Sequence, residues 1–302
     1  MPNNQQFLIT ESDTDLVRTL VKQSFPQYAH LEVTYRATGW DNVMFTLGER
    51  LAVRLPRRSE ALTPQRNEFE WLNQATSPLT TTVPNIRHIG APTPLFDYPW
   101  AIVDWMEGIR SMSVEPQQRD ACAVSLARQL ALLHRTAPSD APINPYRGVP
   151  LRSRAELVGQ RIAEHKDLGQ LQQVWESALN AEPYSLAPVW CHGDLHPGNY
   201  ILDSTNDLAG IIDFGDITSG DPAVDLSVAW LSFTDTGRQA FLDTYHAHCD
   251  ASIAADSGLI PRARGWVISA FVSSVLTSDL STPDFVDTAH WATTQLLLDT
   301  AC

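Results

Sequence analysis

The segment from Cys191 to Asn199, CHGDLHPGN in one-letter code, constrains this chain more than any other stretch of its 302 residues. It places an aspartate, Asp194, five positions before Asn199, and a further aspartate, Asp213, follows the apolar pair at 211–212. Apolar, strand-like runs lie on both sides of the segment. Three side chains that offer oxygen atoms are therefore expected at the ends of buried strands, where they could form a site.

The interval between Asn199 and Asp213 predicts a hairpin, with strands at 200–202 and 208–212 and a turn at 203–207. Such a hairpin would return Asp213 to a position next to Asn199. An amide oxygen and a carboxylate are hard ligands that suit Mg²⁺. Asp194 could orient a hydroxyl group and accept its proton, and kinase catalytic loops use this order of residues with ATP or GTP. The segment thus favours phosphoryl transfer.

Two other interpretations of the segment remain open at this point. Cys191, His192, Asp194 and His196 could bind a transition metal ion, although no second histidine cluster completes a coordination shell. Without a metal, the two histidines would stabilise the loop through hydrogen bonds. The block could also be an aspartate- and glycine-rich surface hairpin with no chemical role.

The N-terminal part of the chain predicts a three-stranded antiparallel meander at 31–35, 43–47 and 51–55, after a short helix at 12–23 that Ser12 would cap. The turn at 38–42 carries one glycine and is a candidate loop for covering a nucleotide. Many hairpins bind nothing, so this turn alone decides little.

Arg54 stands near the end of the third predicted strand, where a kinase-like fold needs a cation for the α- and β-phosphates. An arginine can supply that charge in place of the usual lysine. A helix is expected to begin at Thr63-Pro64, and Glu68 within it is the candidate ion-pair partner of Arg54, with Glu70 as the fallback.

Two further strands are predicted at 83–86 and 100–103, followed by a polar and aromatic break at 104–108. The break could be a hinge between lobes, in which backbone groups of Asp104, Trp105 and Met106 would bind a purine; the alternative is a simple exit from a strand. Helical patterns follow at 116–135, 154–179 and 225–300, with a proline-rich linker at 137–150.

The net charge of −14 is unevenly distributed, since residues 183–302 hold fifteen aspartates and three arginines, a net of −12. A field of this sign disfavours binding to nucleic acid or an anionic membrane and favours a cationic substrate, although solubility explains it equally well. No apolar run could span a bilayer, and residues 1–10 lack a secretory pattern. The four cysteines have no paired spacing, which favours reduced thiols and a cytoplasmic location.

The block HGDLHPGN at 192–199, with IDFGD at 212–216, resembles the aminoglycoside phosphotransferase family, a relative of macrolide, choline and protein kinases. The segments 54–58 and 67–68 are similar to the family's third strand and first helix, and 126–134 to its LA…LH helix. The resemblance implies Asp194 as catalytic base, Asn199 and Asp213 as Mg²⁺ ligands, and Arg54 with Glu68 at the phosphates. Arg54 departs from the family's usual lysine and is similar to the residue that macrolide kinases carry.

The expected fold is a two-lobed, protein-kinase-like α+β structure, with an antiparallel sheet lobe at 1–103, a hinge at 104–108 and a larger helical lobe at 109–302. The expected activity is transfer of the γ-phosphate of ATP or GTP, with Mg²⁺, to a hydroxyl of an aminoglycoside or related amino-sugar, a reaction typical of antibiotic resistance. The alternatives are a macrolide 2'-phosphotransferase, a kinase for an endogenous sugar, choline or homoserine-type acceptor, and a non-catalytic pseudokinase that binds a nucleotide. The oligomeric state does not follow from the sequence.

Overall fold

Alternating apolar residues near the N-terminus build a five-stranded antiparallel sheet with the strand order β1-β2-β3-β5-β4. The computed structural model describes residues 9–279 and 281–299. The strands are β1 (Val33–Thr38), β2 (Asn42–Leu47), β3 (Leu51–Pro56), β4 (Ile86–Gly90) and β5 (Trp100–Asp104). The predicted antiparallel meander is confirmed. Strand β4 begins at Ile86, so the prediction that a strand starts at Val83 was wrong by three residues.

Two helices accompany this sheet, α1 (Thr14–Ser24) and α2 (Leu62–Thr76). Helix α1 contributes Val17, Leu20 and Val21 to a core that also contains Phe45 and Trp100. The residue before α1 is Asp13 rather than the predicted Ser12, and its carboxylate accepts a hydrogen bond from the Thr10 amide instead of capping the helix. Helix α2 begins at Leu62, one residue before the predicted Thr63.

The remaining elements are mainly helical, as the sequence predicted. The α-helices are α3 (Pro116–Arg119), α4 (Ala123–Leu133), α5 (Ala155–Glu164), α6 (Gln172–Asn180), α7 (Ala223–Leu226), α8 (Val228–Ser232), α9 (Asp235–His248), α10 (Ala251–Ala254), α11 (Leu259–Trp266), α12 (Ser273–Leu276) and α13 (Pro283–Leu298). A π-helix, Val267–Val272, joins α11 to α12. The predicted linker at 137–150 forms neither helix nor strand.

Short strands in this helical part place the 191–216 segment. They are β6 (Ile109–Arg110), β7 (Val189–Cys191), β8 (Tyr200–Leu202), β9 (Leu208–Ile211) and β10 (Thr218–Gly220). The predicted hairpin is confirmed, because β8 pairs antiparallel with β9, and the amide of Ile212 donates to the carbonyl of Asn199 at 2.9 Å. Strand β7 pairs with β10, so the chain enters and leaves the segment on adjacent strands.

The chain divides into two compact units, one of residues 1–73 and 83–107, the other of residues 74–82 and 108–302. The boundaries proposed from the sequence, including the hinge at 104–108, stay predictions. Among the described residues, no helix has the length and hydrophobicity that crossing a membrane requires. Cys122 and Cys191 are buried free thiols and Cys249 is a half-buried one, whereas Cys302 and residues 1–8 lie outside the described part of the chain.

A buried arginine fixes the end of β10 to the helices behind it. Arg262 is 3% exposed; its guanidinium binds both carboxylate oxygens of Asp221, at 2.7 and 3.2 Å, and also contacts Asp256 and the Glu182 carbonyl. Asp221 in turn accepts a hydrogen bond from the Ala223 amide at the start of α7.

We expect Arg262→Ala to lower the free energy of unfolding of the second unit by about 3 to 5 kcal/mol, because it leaves the buried Asp221 carboxylate without its cation. Urea unfolding followed by tryptophan fluorescence would measure the loss. The matched control is Arg152→Ala, since Arg152 is exposed. A loss as small as that of the control would contradict the assigned role of Arg262.

Candidate active site

Arg54 and Glu68 form the ion pair that the sequence predicted. Arg54 lies on the central strand β3 and Glu68 on α2, and they are 8% and 5% exposed. Nη1 of Arg54 donates to Oε1 of Glu68 at 3.0 Å, and Nη2 donates to Oε2, which makes the pair bidentate. The fallback partner, Glu70, is exposed. A guanidinium fixed in this way can present its charge at one defined place on the sheet.

The turn between β1 and β2 is tied to the two arginines that follow β3. Arg57 donates to the carbonyl of Gly39 at 2.9 Å, and Arg58 donates to the carboxylate of Asp41 at 2.7 Å. The Arg58 guanidinium also lies 5.1 Å from the ring centroid of Trp40, which is 54% exposed. Both arginines therefore stabilise the turn.

The predicted purine-binding segment keeps only part of its backbone available. The amide of Asp104 donates to the Asn85 carbonyl at 3.0 Å, and the amide of Trp105 donates to the Arg50 carbonyl at 2.9 Å. The Asp104 carboxylate binds Arg87 at 2.6 Å. Among residues 9–279 and 281–299, the Met106 amide has no hydrogen-bond acceptor. Met106 therefore offers the N–H donor of this segment.

In the second unit, one buried carboxylate shapes the start of the 192–199 loop. Asp225 on α7 accepts hydrogen bonds from the amides of His192, at 2.7 Å, and Gly193, at 2.8 Å. His134, at the end of α4, lies 3.1 Å from the same carboxylate through Nε2, and its Nδ1 lies 2.7 Å from the Tyr245 hydroxyl. The loop is thus held by backbone hydrogen bonds that leave its side chains available.

Gly193 has a φ of +88°, and a Cβ at this position would overlap the carbonyl oxygen of Asp216. Only glycine allows both this backbone conformation and the close approach of the two segments. The structure therefore explains why a glycine precedes Asp194, which the sequence pattern alone did not explain.

Asn199 and the two loop histidines join the loop to the chain that precedes Asp213. The side-chain amide of Asn199 donates to the Asp194 carbonyl at 2.8 Å, which directs its oxygen atom away from that bond. His192 lies 2.9 Å from the Ile212 carbonyl through Nε2, and the Gly198 amide donates to Nδ1 of His196 at 2.9 Å. The predicted structural role of the two histidines is confirmed.

Asp213 itself has a left-handed backbone conformation, with φ 63° and ψ 64°, and is exposed. Since the residue before it is bonded to Asn199, the hairpin brings these two predicted Mg²⁺ ligands together, as the sequence indicated. An amide oxygen and an adjacent carboxylate are a donor set that fits Mg²⁺.

The fold lowers the pKa of Asp194, the acidic residue of the 192–199 loop. Its side chain is 30% exposed, with Nη2 of Arg147 at 3.2 Å from Oδ1 and Nε2 of His196 at 3.6 Å from Oδ2. Burial alone would raise the pKa of Asp194, but the charge of Arg147 and the contact with His196 lower it below its usual range. Asp194 is therefore an anion at neutral pH and is suited to orient a hydroxyl group.

The pKa of Asp216 is shifted in the opposite direction. Burial, and then the negative charge of Asp194, raise the pKa of Asp216 to about 6, although Asn144 donates to its carboxylate at 2.6 Å. Asn144 and Arg147 both come from the proline-rich linker, and sequence reasoning missed them together with Asp225 and Tyr245. No local pattern marks these residues, because each acts through a contact distant in sequence.

The transition-metal interpretation of the loop receives no support from the geometry. Among the described residues, the group that brings three metal-ligand types together is His134, Cys191 and Asp225, all buried. Of the four residues proposed, it includes Cys191 but not His192, Asp194 or His196. Burial, with the charge of Asp225, raises the pKa of the Cys191 thiol well above its usual value, so it stays protonated. Both nitrogens of His134 are occupied, and the group is a hydrogen-bond network.

Comparison with known proteins gives a family match and a common fold. The model of the family described as "Phosphotransferase enzyme family" matches residues 32–259. An aminoglycoside 3'-phosphotransferase of Streptomyces fradiae is 26% identical over 233 residues, which cover 71% of this chain and 84% of that protein.

Solved structures agree on the fold. The GDP complex of wild-type aminoglycoside 2'-phosphotransferase-IIIa superposes with a TM-score of 0.69 at 15% identity and covers 95% of this chain and 99% of its own. The apoenzyme of a macrolide 2'-phosphotransferase from Brachybacterium faecium superposes with a TM-score of 0.61 at 17% identity, covering 94% and 98%. The predicted α+β fold, an antiparallel sheet followed by a helical part, is confirmed.

We expect Asp225→Asn to speed hydrogen exchange at the amides of His192 and Gly193 by more than about tenfold, since an asparagine can accept only one of the two hydrogen bonds. Exchange followed by mass spectrometry or NMR would measure this. Asp243→Asn, at an exposed position on α9, is the control. Unchanged exchange at both amides would show that Asp225 does not hold the loop.

The raised pKa of Asp216 predicts a pH dependence of stability. Between its unfolded pKa near 3.8 and about 6, the folded protein binds the proton more tightly, so stability falls as pH rises through this window. Asp216→Asn should remove that slope and stabilise the protein by about 3 kcal/mol at pH 8, but not at pH 4. Urea unfolding in Mg²⁺-free buffer tests this, with exposed Asp97→Asn as control; equal slopes in wild type and variant would contradict it.

Proposed function

This chain belongs to the phosphotransferase enzyme family, and from that premise we propose that it transfers the γ-phosphate of ATP or GTP to a hydroxyl of an aminoglycoside or related amino-sugar. One observation carries the proposal: in the 192–199 loop the side-chain amide of Asn199 donates to the backbone carbonyl of Asp194, whose carboxylate is ionised, and Asp213 directly follows Ile212, which is hydrogen-bonded to Asn199. Phosphoryl transfer needs this combination of an orienting anion and a metal-binding pair.

Asp194 acts in this proposal on the acceptor. Its lowered pKa makes it a weak base, and in a largely dissociative transition state a weak base is sufficient, since the proton is transferred late. The carboxylate accepts a hydrogen bond from the acceptor hydroxyl. This orients a lone pair of the hydroxyl oxygen towards the phosphorus. Arg147 and His196 hold the carboxylate in this orientation through contacts to its two oxygens.

The nucleotide and its metal are assigned to other side chains. Asn199 and Asp213 would hold Mg²⁺, which when bound neutralises charge on the phosphate oxygens. Arg54, oriented by Glu68, would contact the α- and β-phosphates in place of a lysine. Backbone groups of the segment Asp104, Trp105 and Met106 would bind the base, with the Met106 amide as the donor. Solved relatives in complex with GDP or with ATP support a nucleotide co-substrate.

The acceptor class is supported by the relatives and by charge. The S. fradiae relative is described as an aminoglycoside phosphotransferase, and solved neighbours contain kanamycin or gentamicin. The net charge of −12 over residues 183–302 agrees with an acceptor that carries amines, although several of these aspartates, among them Asp221 and Asp225, are engaged inside the fold. A small molecule is therefore the expected partner, rather than a nucleic acid or a membrane.

A macrolide acceptor is the second candidate. The pocket that includes Asp194 is lined on its apolar side by Leu195, Val224, Leu231 and Phe271, which suits an apolar ligand.

We expect Asp194→Ala to lower kcat for phosphoryl transfer by at least about a hundredfold with little change in the affinity for Mg²⁺–nucleotide. Asp213→Ala should instead weaken the binding of Mg²⁺–nucleotide. Transfer of labelled γ-phosphate to a panel of aminoglycosides and macrolides, with ATP and with GTP, measures the first effect, and nucleotide titration measures the second.

Asp207→Ala, on the same hairpin but in its turn, is the control for both variants. Full transfer activity in Asp194→Ala would contradict the mechanism. A wild-type protein that binds Mg²⁺–nucleotide but modifies no member of the panel would favour the pseudokinase instead.

A further inference from the structure

The segment 142–148, which has no regular secondary structure, is attached to strand β10 by hydrogen bonds. Towards one end, the amide of Asn144 donates to Oγ1 of Thr218 at 2.9 Å. At the other end, the carbonyl of Gly148 accepts a hydrogen bond from the amide of Asp221 at 2.9 Å. Gly148 has a φ of +66°, a conformation that glycine adopts without strain. The backbone between these two anchors is therefore fixed relative to β10.

Arg147 extends from this fixed backbone to Asp194, where Nη2 lies 3.2 Å from Oδ1. Burial works against its charge, but the carboxylates of Asp194 and then Asp216 raise the pKa of Arg147 above its ordinary value. The two histidines of the loop are neutral, because in each ring Nδ1 accepts a backbone N–H and so carries no proton. His192 accepts the amide of Asp194 at 3.3 Å, and His196 accepts an amide of the same loop at 2.9 Å. Among the described residues in contact with Asp194, Arg147 is therefore the full positive charge.

Most of the hydrogen-bonding capacity of Arg147 is unused. A guanidinium has five N–H donors, and within the described part of the chain that of Arg147 makes one hydrogen bond, from Nη2 to Asp194. Its Nε is buried and has no acceptor among the same residues. In contrast, the structural arginine Arg262 donates to two carboxylates and to a backbone carbonyl. The Arg147 side chain is 19% exposed, so it has N–H groups to offer to a ligand.

The guanidinium of Arg147 lies within reach of the group that the proposed reaction transfers. A hydroxyl held by Asp194 lies about 2.6 to 3.2 Å from the carboxylate, and the phosphorus it attacks lies about 3 to 3.5 Å further on. Asp216 is within electrostatic reach of both Asp194 and Arg147, whose charges act on its pKa after burial. The charge of Asp213, the proposed Mg²⁺ ligand, acts on the same carboxylate. A phosphoryl group that passes from the metal-bound nucleotide to a hydroxyl at Asp194 therefore passes beside Arg147.

We propose that Arg147 is a further catalytic residue, whose unused N–H groups bind non-bridging oxygens of the γ-phosphoryl group during its transfer. In this step the bond from the γ-phosphorus to the oxygen that bridges to the β-phosphate breaks, and its electron pair leaves with the nucleoside diphosphate. The acceptor oxygen forms the new bond to phosphorus, and its proton passes to Asp194. Negative charge is spread over the oxygens of the transferring group, and a guanidinium already fixed beside them stabilises it. The inference rests on the proposed phosphoryl transfer and is independent of the acceptor class.

Aluminium fluoride, bound together with Mg²⁺ and ADP or GDP, imitates the transferring phosphoryl group and provides a test by binding alone. We expect Arg147→Gln to weaken the binding of aluminium fluoride about tenfold or more, and to change the affinity for the Mg²⁺–diphosphate by less than about threefold. Calorimetry on the full chain measures both affinities. Arg152→Gln, an exposed change a few residues further along the chain, is the control and should leave both unchanged. Arg147→Lys, which keeps the charge, serves if Arg147→Gln does not fold, and should show part of the loss.

The Asp194→Ala protein distinguishes a direct contact with the phosphoryl group from a role of Arg147 in orienting Asp194 alone. In that protein, adding Arg147→Gln should still weaken the binding of aluminium fluoride about tenfold, because the guanidinium acts on the phosphoryl group itself. No further loss in the double variant would overturn the proposal and leave Arg147 as a positioning residue. Equal affinity of wild type and Arg147→Gln for aluminium fluoride, including no binding by either, would also overturn it.

The outcome is separable from that of the proposed function, because transfer of labelled γ-phosphate is read independently. We expect kcat of Arg147→Gln to be at least about a hundredfold lower, with KM for both substrates changed by less than about threefold. Transfer by Arg147→Gln at the wild-type rate would retain the proposed function and reject the catalytic arginine. Arginine-dependent binding of aluminium fluoride, in a wild type that modifies no aminoglycoside, would retain the arginine and reject the proposed acceptor.

Discussion

The carboxylate of Asp225 is the interaction on which the candidate site depends. It is fully buried and accepts hydrogen bonds from the successive amides of His192 and Gly193, and Nε2 of His134 lies 3.1 Å from one of its oxygens. A buried carboxylate is stable only when hydrogen bonds replace its hydration, and two oriented N–H groups do this well. The same bonds fix the path of the backbone, so that Asp194 emerges at one defined position. The order of the loop follows from satisfying a buried charge.

Two aspartates of the same segment, Asp194 and Asp216, have pKa values shifted in opposite directions by their surroundings. Arg147 and His196 surround Asp194 and keep it ionised, whereas Asp216 is disfavoured as an anion by burial and by the charge of Asp194 itself. Paired acids whose environments separate their pKa values are typical of functional sites. In the first unit a charged partner likewise controls Arg54, because the carboxylate of Glu68 binds its guanidinium through two hydrogen bonds and fixes its orientation.

The distribution of charge in the structure also changes how the net charge should be understood. Several of the C-terminal aspartates do not contribute to one acidic surface: Asp221 pairs with Arg262, Asp225 holds the loop, and Asp203 and Asp250 bind amides of their own turns. Asp194 itself has the cation Arg147 beside it. Net charge is a sum over the chain, while a ligand responds to the few charges within about one Debye length.

The sequence by itself determined the strands of the meander, the hairpin that joins Asn199 to Asp213, and the pairing of Arg54 with Glu68. These depend on the alternation of apolar residues, on short turns and on functional side chains that lie within about twenty residues of one another. All of these signals are local in the sequence. Only the tertiary structure decided that Asp225, Tyr245 and Arg147 belong to the site, and that Asp104 and Trp105 have engaged their amides. The partners in these contacts are mostly distant in sequence, and burial, which sets their strength, exists only once the chain has folded.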